Sequence, residues 1–305
     1  MNPTLVSDKS ILVVGLVRNC GKNLRAEVER LSSAFAVFGA VSWLVIESDS
    51  TDDTLAVLEQ IEVKVPGFRS ISLGTLRDDL PLRTQRIARC RNEYMAQIDT
   101  SPAYAGVDYV VMADLDGVNT QLAGEALLSC WSRTDWDVCA ANQRGPYYDI
   151  WALRHPDWCP TDCWRQLEFL HSMGVPQRKA FFAAVQSRMI TLPEDGAWLE
   201  VDSAFGGLAI YRRSALQGLR YVGLDAADRE ICEHVLFHRQ IRELGRSIFI
   251  NPRLINAGYT DQTRRLRLRE RVKKSLWRAA SSVLQAIVGA RGTQLIRERR
   301  ARRGR

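Results

Sequence analysis

Short apolar runs alternate with amphipathic segments along the first third of the chain. Residues 11–17 and 41–46 are continuous apolar runs of strand length. Between these runs, apolar residues recur at helical spacing, at Leu24, Val28, Leu31, Phe35 and Phe38. The pattern predicts a buried strand, an amphipathic helix and a second buried strand in succession.

The same alternation continues to residue 113. Asp52 and Asp53 suit the first turn of a helix after the second strand. A weaker strand at 70–73, a helix at 84–98 and a strand at 108–113 follow. Strands that alternate with helices predict an α/β fold, with a mostly parallel, Rossmann-like sheet flanked by helices.

Polar residues collect where the predicted strands end. Arg18 follows the first strand, Glu47 and Asp49 follow the second, and Asp114 and Asp116 follow the strand at 108–113. In an open sheet of this kind, ligands bind beyond the carboxyl ends of the strands. We therefore expect a binding site at this edge of the sheet.

Two of these acids stand on either side of Leu115, in the segment MADLDG. An isolated Asp-x-Asp is most often a solvated turn, but the neighbouring polar strand ends favour a metal site here. Mg²⁺ and Mn²⁺ prefer carboxylate oxygens and often take further ligands from phosphates. We expect Asp114 and Asp116 to hold a metal that neutralises charge on a leaving nucleoside diphosphate.

Several segments resemble known glycosyltransferases. Four of them occur in the order typical of a nucleotide-diphospho-sugar transferase domain of the GT-A fold: ILVVGLVRNCGKNL, VIESDSTDDT, RIARCRNEYM and YVVMADLDG. Three later segments are similar to the fungal capsule-associated α-1,3-mannosyltransferase family: YYDIWALR, FGGLAIYRRSAL and CEHVLFHRQIRELGRSIFINP. The resemblance covers roughly residues 10–260. It implies a metal-dependent hexosyltransferase that uses a GDP- or UDP-linked sugar and Mn²⁺ or Mg²⁺.

The resemblance also implies a set of donor-binding residues. Glu47 matches an acid that contacts the base or ribose, with a helix-terminal acid as the alternative. Arg91 and Asn92 match a pair that faces the diphosphate, although Arg91 also fits an exposed arginine stripe. The full donor-binding set is Arg18, Glu47, Asp49, Arg91, Asn92 and Asp114.

The second half of the chain is expected to bind the acceptor and to contribute the catalytic residues. Glu233 and His234 stand where inverting relatives have a Glu-Asp pair, whose first acid is the general base. The mannosyltransferase family is retaining, and in that case Glu233 would hold the donor sugar or face the reacting carbon. We expect Asp202 to act with Glu233 in catalysis. His234 is a candidate third metal ligand, with a packed histidine as the alternative.

Aromatic residues before the middle of the chain are candidates for sugar contacts. Tyr147, Tyr148 and Trp151 offer ring faces to pyranose C–H groups, and Asp149 offers hydroxyl acceptors. The alternative is that part of this segment belongs to the core.

Composition indicates a globular protein. The chain has 305 residues, 46% of them apolar and 25% charged, with seven scattered cysteines that suggest free cytosolic thiols. No signal peptide is evident. We expect a GT-A domain at 1–263, with a nucleotide-sugar half at about 10–120 and an acceptor half at about 121–263, followed by a basic helical tail at 264–305.

Charge is concentrated in that tail. Residues 264–305 contain 15 Lys or Arg and two acids, a net charge of +13, so residues 1–263 carry about −6 of the overall +7. The tail also has an apolar stripe, at Leu276, Ala280, Val283, Leu284, Ile287 and Val288. An apolar stripe flanked by basic residues suits a helix on an anionic membrane surface. We expect a cytoplasmic protein on the inner face of the membrane, with a glycan or lipid-linked acceptor in surface polysaccharide synthesis. A helix that packs on the body and a solvated extension are the alternatives.

Two other function classes compete with glycosyl transfer. A nucleotidyltransferase that makes sugar nucleotides would share the sheet and its acids, but LVRNCGKN poorly matches the Gly-rich loop of such enzymes. A nucleic-acid-binding protein would use the basic tail. That function leaves the acidic strand ends unexplained, so we expect no nucleic-acid partner.

Overall fold

The structure is a computed structural model and describes residues 6–264. Contacts divide the chain into two compact units, Met1–Gly258 and Tyr259–Arg305. The expected amphipathic tail, apart from Arg264, lies outside the described residues. Within 6–264, no helix is both long enough and apolar enough to span a bilayer.

The first half contains the predicted alternation of strands and helices. Its elements are β1 (Ser10–Val17), α1 (Gly21–Phe35), β2 (Ala40–Glu47), α2 (Thr54–Lys64), β3 (Phe68–Ser72), α3 (Arg83–Thr100) and β4 (Tyr109–Ala113). All five residues of β4 are buried, and β1 is buried along most of its length. Burial on both faces explains why these strands are continuous apolar runs.

The second half is less regular. Its elements are α4 (Gly124–Leu128), β5 (Val138–Gln143), α5 (Cys163–Ser172), α6 (Gln177–Ala184), β6 (Leu199–Glu200), β7 (Leu208–Arg212), α7 (Glu233–Glu243) and β8 (Ile248–Ala257). Helix α5 begins at a side-chain cap, where Asp162 accepts hydrogen bonds from the backbone N–H groups of Trp164 and Arg165.

All eight strands form one sheet in the order β3-β2-β1-β4-β7-β5-β8-β6. The pairs β1–β2, β1–β4, β2–β3 and β5–β8 are parallel, whereas β7 runs antiparallel to both β4 and β5. The predicted α/β fold with a mostly parallel sheet is therefore confirmed. In the parallel register Val17 pairs with Glu47, so β1 and β2 end side by side.

Two buried clusters cover the two faces of the sheet. Leu12, Val14 and Met112 belong to one cluster, and the alternate residues Val13 and Val111 belong to the other. Side chains of a strand point alternately to opposite faces, so helices cover the sheet on both sides. The open edge formed by the carboxyl ends of β1, β2 and β4 remains available for a site.

Candidate functional site

A cavity of about 380 Å³ lies at the carboxyl ends of β1, β2 and β4. Its walls come from the loops after these strands, from α3, from residues 148–152 and from the first turn of α7. The polar side chains that line it are Arg18, Ser48, Asp49, Arg83, Arg86, Arg91, Asp114, Asp116, Tyr148, Asp149, Glu233 and His234. The predicted edge of the sheet thus carries a polar cavity.

Asp114 lies within a cluster of acids in this cavity. Removal from water and the neighbouring Asp116 carboxylate raise the pKa of Asp114 to about 8, and Asp149 and Glu233 contribute to the rise. Asp116 is exposed, and one of its carboxylate oxygens accepts a hydrogen bond from the Val118 backbone N–H at 3.2 Å. The cluster therefore carries more negative potential than the neighbouring Arg91 offsets.

Two glycines shape the loop beneath Asp114. Gly206 and Gly207 have φ angles of +69° and +84°, and the Gly207 carbonyl accepts the Asp114 backbone N–H at 2.9 Å. A Cβ added at Gly207 would lie 2.7 Å from the Tyr148 hydroxyl. The glycine pair packs here against protein groups next to the metal-site candidate.

Arg91 joins α3 to the start of α7. Its Nε donates to Glu233 Oε1 at 3.0 Å, and its Nη1 donates to the Tyr94 hydroxyl at 2.9 Å. Arg91 is 6% exposed, and its Cζ atom lies 5.5 Å from the ring centroid of Phe205 and 5.3 Å from that of Tyr221. Arg91 is thus a buried cation at the cavity wall and not part of an exposed stripe, and its diphosphate contact stays a prediction.

Asp149, which the sequence offered as an acceptor for sugar hydroxyl groups, lines the cavity together with the acid cluster. One oxygen accepts the Gly206 backbone N–H at 3.0 Å, and the other accepts the Ala152 backbone N–H at 3.4 Å. Burial raises the pKa of this carboxyl group. The three aromatic candidates near Asp149 differ in position. Tyr148 and Trp151 line the cavity, whereas Tyr147 is buried against Trp158.

Glu47 and Asp49 have structural partners that the sequence did not reveal. The Glu47 carboxylate is 1% exposed and accepts hydrogen bonds from the Ser50 backbone N–H and the Ser72 hydroxyl. It is not among the cavity-lining residues, so the expected contact with a base or ribose has no geometric support. Asp49 lines the cavity, but one oxygen accepts the backbone N–H groups of Leu76 and Arg77.

Two other predicted site residues lie away from the cavity walls. The Asn92 side-chain amide donates to the Tyr221 carbonyl at 2.9 Å and accepts the Tyr221 N–H at 2.7 Å. These bonds tie α3 to residue 221, and the expected contact of Asn92 with a diphosphate stays a prediction without geometric support. Asp202 has an exposed side chain, 3.8 Å from Arg242 Nε, and does not line the cavity. The expected catalytic role of Asp202 is not supported.

The expected metal ligands do not form a three-residue set. Among residues 6–264, no group of three or more His, Cys, Asp or Glu side chains is arranged to hold a metal ion. His234 stacks on Phe205 with 4.0 Å between ring centroids, and the ring plane is fixed by that contact. The stacking contact supports the packed alternative for His234, and Asp114 and Asp116 stay the metal-site candidates.

His238 is buried behind the cavity, and its ring is held by two hydrogen bonds. The Ser203 hydroxyl donates its proton to the Ala152 carbonyl at 2.6 Å. His238 Nδ1 lies 2.9 Å from the Ser203 hydroxyl oxygen, and because that hydroxyl has no second proton, Nδ1 must be the donor of this hydrogen bond. Its Nε2 then accepts from the Tyr211 hydroxyl at 2.8 Å. Burial lowers the pKa of His238 to about 3, so the ring is neutral and fixed in one tautomer.

Arg18 and Arg83 are the two exposed cations at the cavity wall. Neither has an ion-pair partner within the described part of the chain, whereas Arg86 donates to the carbonyls of Leu80 and Pro81 and lies 3.6 Å from Asp49. Guanidinium groups without partners are suited to phosphate oxygens in geometry and charge. Arg18 was recognised from the sequence; Arg83 was missed because it only begins α3.

No protein-family model matches the chain, and a search of curated proteins finds no match. Similar solved structures include S. aureus TarS 1–349, with a TM-score of 0.46, 14% identity and coverage of 79% of this chain. The mannosyltransferase PcManGT from Pyrobaculum calidifontis, in complex with GDP-Man and Mn²⁺, has a TM-score of 0.48 and 14% identity, and the match covers 84% of this chain. Glucosyl-3-phosphoglycerate synthase from Mycobacterium tuberculosis, in complex with UDP, gives 0.37, 14% and 82%.

The chain spans 57%, 58% and 69% of those three structures, respectively. All three are similar to this chain at low identity and with TM-scores below 0.5. These similarities assign no activity, and the description of the fold rests on the strand order and register given above.

Proposed function

We propose that the chain is a GT-A glycosyltransferase that moves a hexose from a nucleoside-diphosphate sugar to a glycan or lipid-linked acceptor. One observation carries the proposal: a single cavity, at the carboxyl ends of a mostly parallel sheet, combines unpaired cations with a cluster of acids. The cations are Arg18 and Arg83, and the acids are Asp114, Asp116, Asp149 and Glu233. Cations of this kind suit a diphosphate, and carboxylates suit a metal and sugar hydroxyls.

The acid cluster fits a divalent metal. Removal from water and, after it, the neighbouring Asp116 carboxylate raise the pKa of Asp114, and a bound cation would offset both effects. Asp114 and Asp116 would hold Mn²⁺ or Mg²⁺ through hard oxygen ligands, with phosphate oxygens of the donor completing the shell. The metal would offset negative charge on the departing diphosphate.

The chain's own residues supply the remaining functions. Arg18 and Arg83 attract and orient the diphosphate. Arg91 fixes the Glu233 carboxylate at 3.0 Å, so that Glu233 faces the cavity in one position. In an inverting transfer Glu233 would take the proton of the acceptor hydroxyl. In a retaining transfer it would contact the donor sugar or the reacting carbon instead.

Mannose is the hexose favoured by the three later sequence segments, and surface polysaccharide synthesis is the corresponding process. The acceptor half of the cavity supports a carbohydrate ligand, because Tyr148, Asp149 and Trp151 together offer ring faces and a hydroxyl acceptor. We further propose that residues 264–305 attach the protein to the inner face of the membrane. Their basic charge and apolar stripe support this location.

A product assay tests the proposal. The protein is incubated with GDP- and UDP-sugars and Mn²⁺, with and without candidate glycan acceptors, and released GDP or UDP is measured. Release of a nucleoside diphosphate that requires metal supports the proposal. Pyrophosphate release from a nucleoside triphosphate and a sugar 1-phosphate would identify a nucleotidyltransferase instead. RNA binding without any response to sugar nucleotides would favour a nucleic-acid-binding protein that uses the basic tail.

A further inference from the structure

One buried polar side chain at the cavity wall has no hydrogen-bond partner among the described residues. His234 is 2% exposed, and neither ring nitrogen has a hydrogen-bond partner among residues 6–264. The same side chain lines the cavity. Leaving a buried polar group without a partner is unfavourable, because the group has lost its hydrogen bonds to water. An unsatisfied ring at a cavity wall therefore points to a ligand that completes its hydrogen bonds.

The chemistry of the ring limits what that ligand can be. Burial lowers the pKa of His234 well below its usual range, and Arg91 and His238 lower it further. A neutral imidazole has one donor nitrogen and one acceptor nitrogen. Phosphate oxygens chiefly accept hydrogen bonds, so a phosphate group would serve only the donor nitrogen of the ring. A hydroxyl group can both donate and accept.

The adjacent Glu233 makes this site more specific. His234 Nε2 lies 4.0 Å from Glu233 Oε1, an oxygen that already accepts from Arg91. A single oxygen atom about 2.8 Å from both atoms would subtend an angle of about 90° between them, which a hydroxyl group tolerates. Such a hydroxyl would accept from His234 Nε2–H and donate to the Glu233 carboxylate.

We propose that His234 and Glu233 together form a subsite for one carbohydrate hydroxyl group. The inference rests on the proposed glycosyl transfer and adds a recognition role for His234 in that cavity. Two sources can present this hydroxyl: the sugar that is transferred, or the acceptor that attacks it. The two sources differ in which binding step should depend on His234.

Three substitutions isolate the ring nitrogens. His234→Phe keeps a ring that stacks on Phe205 and removes both nitrogens. His234→Gln places an amide nitrogen near the Nε2 position, and His234→Asn places one near Nδ1. His171→Phe, at an exposed position on α5, is the matched control. Calorimetry with Mn²⁺ measures the affinity for each nucleoside diphosphate and its sugar, initial rates give the acceptor KM, and melting curves check folding.

Loss of sugar recognition without loss of nucleotide recognition is expected. His234→Phe should weaken the nucleotide sugar at least about tenfold and leave the nucleoside diphosphate unchanged. If the hydroxyl belongs to the acceptor, the acceptor KM should rise by a similar factor while donor affinity stays constant. In either case the affinity or acceptor KM of His234→Gln should lie nearer to wild type than that of His234→Asn. This comparison also tests the subsite if His234→Phe is unstable.

Contrary outcomes separate this inference from the proposed function. A wild-type protein that binds no nucleotide sugar overturns the proposed function and the subsite together. A wild-type protein that binds one, with His234→Phe unchanged in every constant, overturns the subsite alone. Equal weakening of the nucleoside diphosphate and its sugar, or restoration by Asn as good as by Gln, also overturns it.

Discussion

Asp114 and Asp116 share a loop, yet their surroundings differ. Asp114 is enclosed by other acids and its pKa is raised to about 8, whereas Asp116 is exposed to solvent. Below pH 8 the folded protein keeps a proton on Asp114 that the unfolded chain loses above about pH 4. Stability therefore falls as pH rises from about 4 to 8.

Asparagine substitutions separate the metal function from this stability effect. Asp114→Asn and Asp116→Asn should both abolish metal-dependent transfer, because each removes a carboxylate ligand. Asp114→Asn alone should also raise the free energy of unfolding, by at least about 1 kcal/mol at pH 8 and by less at pH 5. Urea denaturation at several pH values measures the difference, with Asp116→Asn as the control. Full metal-dependent activity in either variant would contradict the metal assignment.

Glu233→Gln tests whether Glu233 acts as an acid–base catalyst. The amide oxygen can still accept from Arg91, but the charge that balances this buried cation is lost, so some loss of stability is expected. If Glu233 does acid–base work, kcat should fall at least about a hundredfold. A change confined to KM would place Glu233 in substrate binding. Asp202→Asn, outside the cavity, should stay within about twofold of wild type in both constants.

At the scale of elements, α3 carries two adjacent residues with opposite assignments. Arg91 faces the cavity, whereas Asn92 forms two hydrogen bonds with the backbone of residue 221. The sequence pair Arg-Asn suggested one shared role toward a diphosphate. Successive residues on a helix point about 100° apart, so a shared role was not required by their spacing.

Asn92→Ala should therefore destabilise the fold without weakening donor binding. Loss of two hydrogen bonds to largely buried backbone groups should cost about 2 kcal/mol. Arg89→Ala, at an exposed position of the same helix with only the Glu93 pair, should cost under about 0.5 kcal/mol. Denaturation and calorimetry on both variants measure the two effects. A donor affinity that falls tenfold or more in stable Asn92→Ala would restore the original prediction.

The strands that the sequence identified most clearly are buried along most of their length. β1, β2 and β4 are continuous apolar runs, and their ends located Asp114, Asp116 and Arg18 correctly at the cavity. The later strands were harder to recognise. β8 contains Pro252, and β5 ends in Asn142 and Gln143, which are buried because they bond to protein carbonyls. The pairing of β5 with β8 is also interrupted by register shifts.

Tertiary partners explain why the structure gives no geometric support to three of the predicted site roles. Glu47, Asn92 and His234 have the residue types expected of a donor or metal site. Their roles depend on residues distant in the chain, such as Ser72, Tyr221 and Phe205. A one-dimensional pattern gives strand ends and charges, but not which carboxylate is already occupied by a neighbour. Arg83, which only begins α3, was missed from the sequence, whereas Asp149 was expected to accept sugar hydroxyl groups and lines the cavity.

At the scale of the whole molecule, charge separates the acidic body from the basic residues 264–305. If these residues bind a membrane surface, a chain shortened to 1–263 should keep nucleotide-sugar affinity, because every proposed donor contact lies earlier. It should lose binding to anionic vesicles, and the binding of the full chain should weaken as salt rises.

Two substitutions refine this test of the membrane surface. Lys273→Gln with Lys274→Gln should weaken vesicle binding partly, and Leu284→Glu should weaken it more, since a charge interrupts the apolar stripe. Melting temperatures of the full and shortened chains provide the comparison. Membrane attachment would be contradicted by two results together: a lower melting temperature for the shortened chain, and a full chain that does not bind vesicles at any salt concentration.

The most direct test of the central claim is calorimetric titration of the full chain with GDP- and UDP-sugars, in Mn²⁺ and in a chelator. We predict that at least one nucleotide sugar binds in Mn²⁺, and that its affinity falls at least about tenfold in chelator and in Asp116→Asn. Failure of every GDP- and UDP-sugar to bind with metal present, or binding that is the same in chelator and in Asp116→Asn, would contradict it.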